Sequence, residues 1–322
     1  MSKKVVITTI PFGEFSDGPA MLKSAGFNVD TTFLDRGKKP NREELIRAVS
    51  DVDAIVAGTE MYDVDVLSAA KNLKVLSRIG IGLDNVDFAT VKKSGIDVTY
   101  TPDAVSRAVS EITLGLIINL ARKISVADRG MHNGKWERHI GLELHSRTIG
   151  LIGLGRIGKL VVPLFRALGM TVLANDLEPD LEFCREHGIE SVEKEVLFAK
   201  SDFVSLHVPL TPKTNNLINV ETLSKMKEGA YLVNTSRGPV VNEDDLFDAL
   251  SSSRLAGAAI DVFRNEPYSG PLTECPTALL TCHMGSCSDL ARKRMEEEAS
   301  QNVIDFFEGR TPAGRVPDEY RI

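Results

Sequence analysis

The sequence has little that would take it outside the ordinary globular class. No uninterrupted apolar run reaches the roughly 18 residues that a membrane span needs, so no span is expected. Cysteine is sparse: Cys184, Cys275, Cys282 and Cys287 set out no disulfide framework. That usage fits a reduced, cytoplasmic protein. Positive charge is in deficit, with 38 lysines and arginines against 45 acids and a net charge of −7. Nothing then offsets repulsion from phosphates, so neither nucleic acid nor an anionic membrane is expected as a partner. Tryptophan occurs once, at Trp136, inside a polar stretch from Gly130 to Ser146. The opening apolar run is too short for a secretory signal and reads as a first strand. There is no repeat and no low-complexity segment.

What is present is a core. Hydrophobic residues make up 43% of the 322 positions, enough for one large or two ordinary domains. The first hundred residues alternate strands with helices. Strands are expected at Val5 to Ile10, Phe27 to Phe33, Asp53 to Ala57, Leu73 to Ser77 and Gly95 to Tyr100. Helices are expected at Gly18 to Ala25, from Asn41 to Val49, at Val64 to Ala70 and at Phe88 to Lys93, with Glu43 and Glu44 favouring the helix dipole. Such alternation implies a parallel sheet covered by helices. Thr101-Pro102 breaks it. A helix from Ala104 to Lys123 follows, apolar on more than one face and so expected to be buried all round.

The stretch from Thr148 to Asp176 organises the second half. Ile149 to Ile152 reads as a buried strand, and Gly153, Gly155 and Gly158 follow with the spacing G-x-G-x-x-G. Gly153 permits a tight turn, Gly155 lets backbone approach a pyrophosphate, and Gly158 lets the next helix pack on the strand. That helix, Ile157 to Leu168, aims its first amides at the phosphates and stops at Gly169. The next strand, Thr171 to Ala174, leads to Asp176, eighteen positions past the last glycine. A carboxylate there accepts from ribose hydroxyls and repels an extra phosphate, which selects NAD over NADP. Further strands are expected at Asp202 to His207, Ala230 to Asn234, Ala258 to Asp261 and Leu279 to Thr281. A last helix should run from Ser288 to Phe307, with Arg292 to Glu298 as a solvated face, before a strap from Thr311.

Arg237, Glu266 and His283 fall at or just past strand ends, the edge where open parallel sheets bind ligands. An arginine fork binds a carboxylate bidentately, a histidine moves a proton near neutral pH, and a glutamate beside it stabilises the imidazolium. The set suits hydride transfer to a 2-oxo acid. Taken singly, each has a bland alternative: a solvated arginine, a surface acid, a structural histidine. Cys282, His283 and Cys287 lack a fourth ligand and fit no zinc spacing, so no metal is expected.

Several motifs in order resemble those of the D-isomer-specific 2-hydroxyacid dehydrogenases, over nearly the whole chain. Arg78-Ile-Gly-Ile-Gly-Leu-Asp-Asn-Val-Asp87 resembles the family's first-domain signature, which implies that the loop amides at Ile81 and Gly82 bind substrate carboxylate. The cofactor turn is Gly153, Gly155, Arg156, Ile157 and Gly158. His207-Val-Pro-Leu-Thr-Pro212 is similar to the loop near the adenine, with His207, Pro209 and Thr214 as cofactor contacts. Asn234-Thr-Ser-Arg-Gly238 is similar to the segment with the catalytic arginine, Arg237, and Thr235 lies beside the cofactor. Asp261 to Pro267 implies a carboxamide-binding Asp261 and a catalytic Glu266; Thr281 to Gly285 implies a catalytic His283, with Gly285 near the cofactor. Departures from the family pattern are Cys282 in place of proline, Asp103 in place of glycine, and Ala104-Val-Ser-Arg.

The resemblance implies two doubly wound parallel-sheet domains, a Rossmann cofactor domain (102–287) inserted in a flavodoxin-like substrate domain (1–101 and 288–322). It implies NAD-dependent interconversion of a small 2-oxo acid and its D-2-hydroxy acid in a cleft that closes on ligand, and a homodimer. The most similar members are short phosphoglycerate dehydrogenases. Glu60 argues against a phosphorylated substrate unless Arg78 or Arg107 offsets it, because a carboxylate about 4 Å from a phosphate costs several kcal/mol at intermediate dielectric. A dinucleotide-sensing, corepressor-like protein on the same fold is the alternative.

Overall fold

The computed structural model describes residues 2–317 and Tyr320. The chain divides into two compact units, Met1–Val105 with Ser286–Ile322, and Ser106–Gly285.

The first unit runs β1 (Lys4–Ile7), α1 (Gly18–Ser24), β2 (Asn28–Asp30), α2 (Thr32–Arg36), α3 (Arg42–Val49), β3 (Ala54–Ala57), α4 (Val64–Ala69), β4 (Val75–Arg78), α5 (Phe88–Ser94) and β5 (Asp97–Thr99). Its five strands pair in parallel in the order β2-β1-β3-β4-β5, the flavodoxin-like order. Both β3 and β4 are buried throughout, which is why they read as unbroken apolar runs. The helix expected from Asn41 opens on a capping box: Asn41 Oδ1 accepts from the Glu44 amide, and the Glu44 carboxylate accepts from the Asn41 amide. A cap of this kind contributes about 1 kcal/mol. The strand expected at Phe27 to Phe33 is cut to three residues. Asp30 accepts from the Thr32 amide and turns the chain into α2, so Thr32 and Phe33 are helical.

Helix α6 (Pro102–Arg122) carries the chain from the first unit into the second. Pro102 begins it rather than breaking the pattern, at a position where no amide proton is needed. With 21 residues it is, by length and composition only, long and apolar enough to cross a membrane. Instead Leu116, Ile117, Leu120 and Ala121 are buried in a core with Val161, Val162 and Phe165. Its burial is not all round: Asp103, Arg107, Glu111 and Gly115, spaced by four, form an exposed stripe. Lys123, at φ +54°, separates it from an unexpected helix, α7 (Ile124–His132), none of whose residues is buried.

The second unit continues β6 (Thr148–Ile152), α8 (Arg156–Ala167), β7 (Thr171–Asn175), α9 (Leu181–His187), β8 (Glu190–Ser191), α10 (Lys194–Lys200), β9 (Phe203–Leu206), α11 (Val220–Lys225), β10 (Ala230–Asn234), α12 (Glu243–Ser251), β11 (Leu255–Ile260) and β12 (Ala278–Leu280). All seven strands are parallel, in the order β12-β11-β10-β9-β6-β7-β8. This is the Rossmann order with one added strand, and its direction reverses between β6 and β9. Apolar cores cover both faces of the sheet. Fully buried side chains such as Phe165 and Phe203 each contribute about 1.5–3 kcal/mol.

The chain then returns to the first unit as α13 (Asp289–Phe307), capped by the Ser288 hydroxyl. The expected solvated face at Arg292 to Glu298 is overturned at Glu296, which is fully buried. Its Oε2 accepts from the Gly13 amide and the Ser16 hydroxyl, both at 2.8 Å, while Arg292 pairs with Oε1 at 3.0 Å. The strap bridges back to β5 through Thr99 and Arg315; residues 318, 319, 321 and 322 lie outside the described residues.

Candidate active site

The glycine turn sits where the strand order of the second unit reverses, the place where such sheets bind ligands. Gly153 has φ +96°, and a Cβ on it would stand 2.4 Å from the His207 carbonyl oxygen. A Cβ on Gly158 would stand 2.3 Å from the Gly153 oxygen, so only glycine lets α8 start this close to β6. A Cβ on Gly155 would meet nothing within 4 Å, and this exposed residue caps α8 with its backbone alone. Arg156 and Ile157 open the helix. Asp176 follows β7 directly. Its Oδ2 accepts from the Leu154 amide at 2.6 Å and its Oδ1 from the Glu178 amide at 3.0 Å, which ties the carboxylate to the turn. Open backbone, a helix N-terminus and a fixed carboxylate fit a dinucleotide.

His207 ends β9. One ring nitrogen, Nε2, lies 3.0 Å from the Ser205 hydroxyl, while Nδ1 is buried with no hydrogen-bond partner. Burial pushes the imidazole down to about 4, so it is neutral at neutral pH. Thr214 is occupied by its own loop: its hydroxyl accepts from the Thr211 amide at 2.8 Å and donates to the Pro209 carbonyl at 2.6 Å. Thr235 is buried, its hydroxyl 3.0 Å from that of Thr113 on α6.

Neighbouring strand ends bring the three candidate catalytic residues to one edge. After β10, the Asn234 side chain accepts from the Ser236 amide and hydroxyl and donates to the Arg237 carbonyl at 2.9 Å, which shapes the arginine turn. Gly238 packs against the Phe263 backbone so closely that a Cβ would overlap it. After β11, Glu266 folds back: Oε1 accepts from the Phe263 amide at 3.0 Å, and Oε2 lies 2.8 Å from His283 Nδ1. Burial pushes the Glu266 carboxyl up. The His283 and Phe263 hydrogen bonds, with the charges of His283 and Arg237, outweigh it and hold the group below its ordinary range. As an ionised acceptor it places the proton of His283 on Nδ1.

His283 lies past β12 at φ +55°, a left-handed conformation that costs a non-glycine residue roughly 1–2 kcal/mol. Asp261 holds it there. This fully buried carboxylate accepts from the Thr281 hydroxyl at 2.6 Å, the Met284 amide at 2.7 Å and the Gly285 amide at 2.8 Å. The His283 amide donates to the Asp261 carbonyl at 2.7 Å. The sequence pointed to Asp261 but not to this anchoring of the histidine loop, and it placed Asn234 at a strand end without a role. Strand-terminal polar residues inside apolar runs were the available signal.

Ile81 and Gly82 belong to the first unit, in the loop after β4, where Ile81 is half-buried and Gly82 buried. Glu60, in the loop after the neighbouring β3, is not thrown into solvent as an unpaired charge. Its side chain is 6% exposed and folds back over Gly58, whose amide donates to Oε2 at 2.9 Å.

Comparison with known proteins identifies the family. A family model described as "D-isomer specific 2-hydroxyacid dehydrogenase, NAD binding domain" matches residues 114–285. The chain belongs to the D-isomer-specific 2-hydroxyacid dehydrogenase family. It is 42% identical over 291 residues to a glyoxylate reductase of Thermofilum pendens, covering 87% of this chain and 86% of the relative. It is 37% identical to a D-3-phosphoglycerate dehydrogenase of Pongo abelii, covering 86% of this chain and 52% of that longer protein. Among solved structures, the TT0316 protein of Thermus thermophilus superposes with a TM-score of 0.88 at 32% identity, covering 98% of this chain and all of the other. The chain is an NAD-dependent D-2-hydroxyacid dehydrogenase.

Proposed function

We propose that the chain reduces a small, unphosphorylated 2-oxo acid of the glyoxylate and hydroxypyruvate kind to its D-2-hydroxy acid, with His283 as proton donor. The carrying observation is the 2.8 Å contact between Glu266 Oε2 and His283 Nδ1. With Nδ1 committed to a carboxylate, Nε2 is the nitrogen that delivers a proton to the carbonyl oxygen. Glu266 stabilises the charged imidazolium until it does so. Bound NADH supplies the hydride for the carbonyl carbon. Arg237 binds the substrate carboxylate through its planar fork, and the loop amides at Ile81 and Gly82 are assigned to the same group. Gly153, Gly155, Arg156, Ile157, Gly158, Asp176, His207, Pro209, Thr214, Thr235, Asp261 and Gly285 are proposed to surround the cofactor. The greater identity to a glyoxylate reductase than to a phosphoglycerate dehydrogenase supports the unphosphorylated class. NADH oxidation measured with glyoxylate, pyruvate, hydroxypyruvate and phosphohydroxypyruvate tests the reading. Turnover confined to the phosphorylated compound would refute the substrate class, and none with any of them would refute the reaction.

A homodimer and a cytoplasmic location are part of the same proposal. Ile124, Met131, Trp136 and Ile140 are 51%, 53%, 78% and 91% exposed, a run of apolar side chains that a second copy would cover. Light scattering giving the 35.2 kDa monomer mass would overturn the dimer. No disulfide joins the four cysteines, in keeping with a reducing compartment. Recovery from an exported fraction would overturn that location.

A further inference from the structure

The loop that follows His207 is lightly packed. None of the residues from Pro209 to Leu217 is buried, and Leu210 and Leu217 only lean on the core. Thr211 and Thr214 hydrogen-bond within the loop, to each other and to the Pro209 carbonyl. A segment with so few buried contacts keeps its shape where it is fastened. Asn216 is such a point. Its amide donates to the Pro239 carbonyl at 2.8 Å, and its carbonyl accepts from Asn219 Nδ2 at 2.9 Å. Its Oδ1 accepts from the Arg264 guanidinium at 2.7 Å. Asn216 has φ +52°, a left-handed conformation that asparagine tolerates.

Arg264 stands just before Glu266, and its backbone is fixed although the residue is exposed. Its amide donates to Oε1 of Glu243, the first residue of α12, at 2.7 Å. Gly238, next to Arg237, packs so closely that a Cβ there would stand 2.4 Å from the Arg264 nitrogen. The neighbouring Phe263 is buried and stacks on Tyr268 at 4.1 Å, while its amide holds Glu266 Oε1 at 3.0 Å. The guanidinium therefore reaches out from a fixed post, and the loop is the part it restrains. All of these residues belong to the second unit.

We propose that Arg264 is a positioning residue for the cofactor: through Asn216 its guanidinium pins the loop from Pro209 to Thr214 to the peptide that holds Glu266. This rests on the reading of that loop as a cofactor contact. Arg264 itself touches neither cofactor nor substrate on this account. It supplies a fixed span between the cofactor loop and the glutamate. Ordering an unpinned loop when NADH binds would cost affinity, so the effect falls on binding rather than on the chemical step.

Arg264→Met and Asn216→Gly each remove the contact, and glycine keeps the left-handed backbone. Titration of the full chain with NADH, followed by its fluorescence, should give a Kd raised at least about threefold in each, within the reach of one hydrogen bond from a charged donor. The double variant should bind no more than about twofold worse than the weaker single one, because both remove the same contact. In both single variants kcat at saturating NADH should stay within about twofold. Without NADH, trypsin should cut after the exposed Lys213 at least about threefold faster in both. A weakened Kd in Arg264→Met with Asn216→Gly unchanged would show that the charge acts and not the pin, and would overturn the proposal. Cleavage at Lys213 no faster than in the unmodified chain would overturn it too, as would an unchanged Kd in both variants beside a weakened one in Thr214→Ala. An unchanged Kd in all three would overturn both the proposal and the reading of the loop beneath it.

Discussion

Replacing Asp261 by asparagine is the sharpest test of how the histidine loop is held. The Asp261 carboxylate is fully buried and accepts three hydrogen bonds, all from Thr281, Met284 and Gly285, the residues around His283. An asparagine amide has only one oxygen. If it replaces Oδ1, the Thr281 hydroxyl and Met284 amide keep an acceptor, but the Gly285 amide faces an NH2 group. The other orientation strands two donors. The milder case removes one charge-assisted bond, worth about 1.5–3 kcal/mol, and leaves a buried donor unpaired. It also removes the charge that strengthens the two remaining bonds. The loop must still hold His283 at φ +55°. A loss of about 2–4 kcal/mol therefore exceeds the roughly 1–2 kcal/mol of strain being restrained, and the histidine should leave its position. Misplacement by about 1 Å costs on the order of a hundredfold in rate. The assay is kcat at saturating NADH and 2-oxo acid, read beside urea unfolding. Thr281→Val, which removes one donor and keeps the carboxylate, should cost less in both. If Asp261→Asn kept kcat within about threefold and lost no measurable stability, the carboxylate would not be what holds the loop.

His283→Ala and Arg237→Ala should each lower kcat/KM by at least about a hundredfold, and near-normal turnover of either would retire its assigned role. In Glu266→Gln the ionised acceptor that orients His283 through Nδ1 is gone, so kcat should fall at least about tenfold with KM changed far less; an unchanged kcat would show that Glu266 only packs. Asp176 should give NADH at least about a tenfold advantage over NADPH, and Asp176→Ala should narrow it; equal use of both by the unmodified enzyme would contradict the role of the acid. His207 is pushed down to about 4 from 6.5, so on acidification the unfolded chain takes up the proton first. Stability should fall by about 2–3 kcal/mol from pH 7 to pH 4 on this account, and His207→Asn should flatten that slope in urea titrations; an unchanged slope would assign it elsewhere.

The glycine turn was legible because sterics leave no substitute at Gly153 or Gly158, and helix starts were legible where an Asn41 or a Ser288 supplies its own cap. Other features depend on contacts that sequence spacing does not encode. Helix α7 buries no residue, so its apolar positions follow no inward stripe. Glu296 sits in a charged run that resembles a solvated face, yet its donors are Gly13 and Ser16, some 280 positions earlier. Glu60 looked like an isolated loop acid, and only the fold-back over Gly58 shows which of its oxygens is occupied.

The same separation runs through the active site. The chemistry-bearing side chains could be named from residue type, but what positions them lies one step back along the chain. Asn234 and Asp261 are both fully buried at the carboxyl ends of β10 and β11, and the Asp261 amide donates to the Asn234 carbonyl at 3.0 Å. This is the last bond of the β10–β11 ladder, in which Asn234 pairs with Ile260. From it, the Asn234 side chain shapes the Arg237 turn, and the Asp261 carboxylate gathers the His283 loop. The pairing of two adjacent strands thus fixes the spacing between the carboxylate anchor and the proton donor, whereas Glu266 is added by a local fold-back onto the Phe263 amide. Substitutions at Asn234 or Asp261 should then impair both elements together, while those at Glu266 should act on the histidine alone.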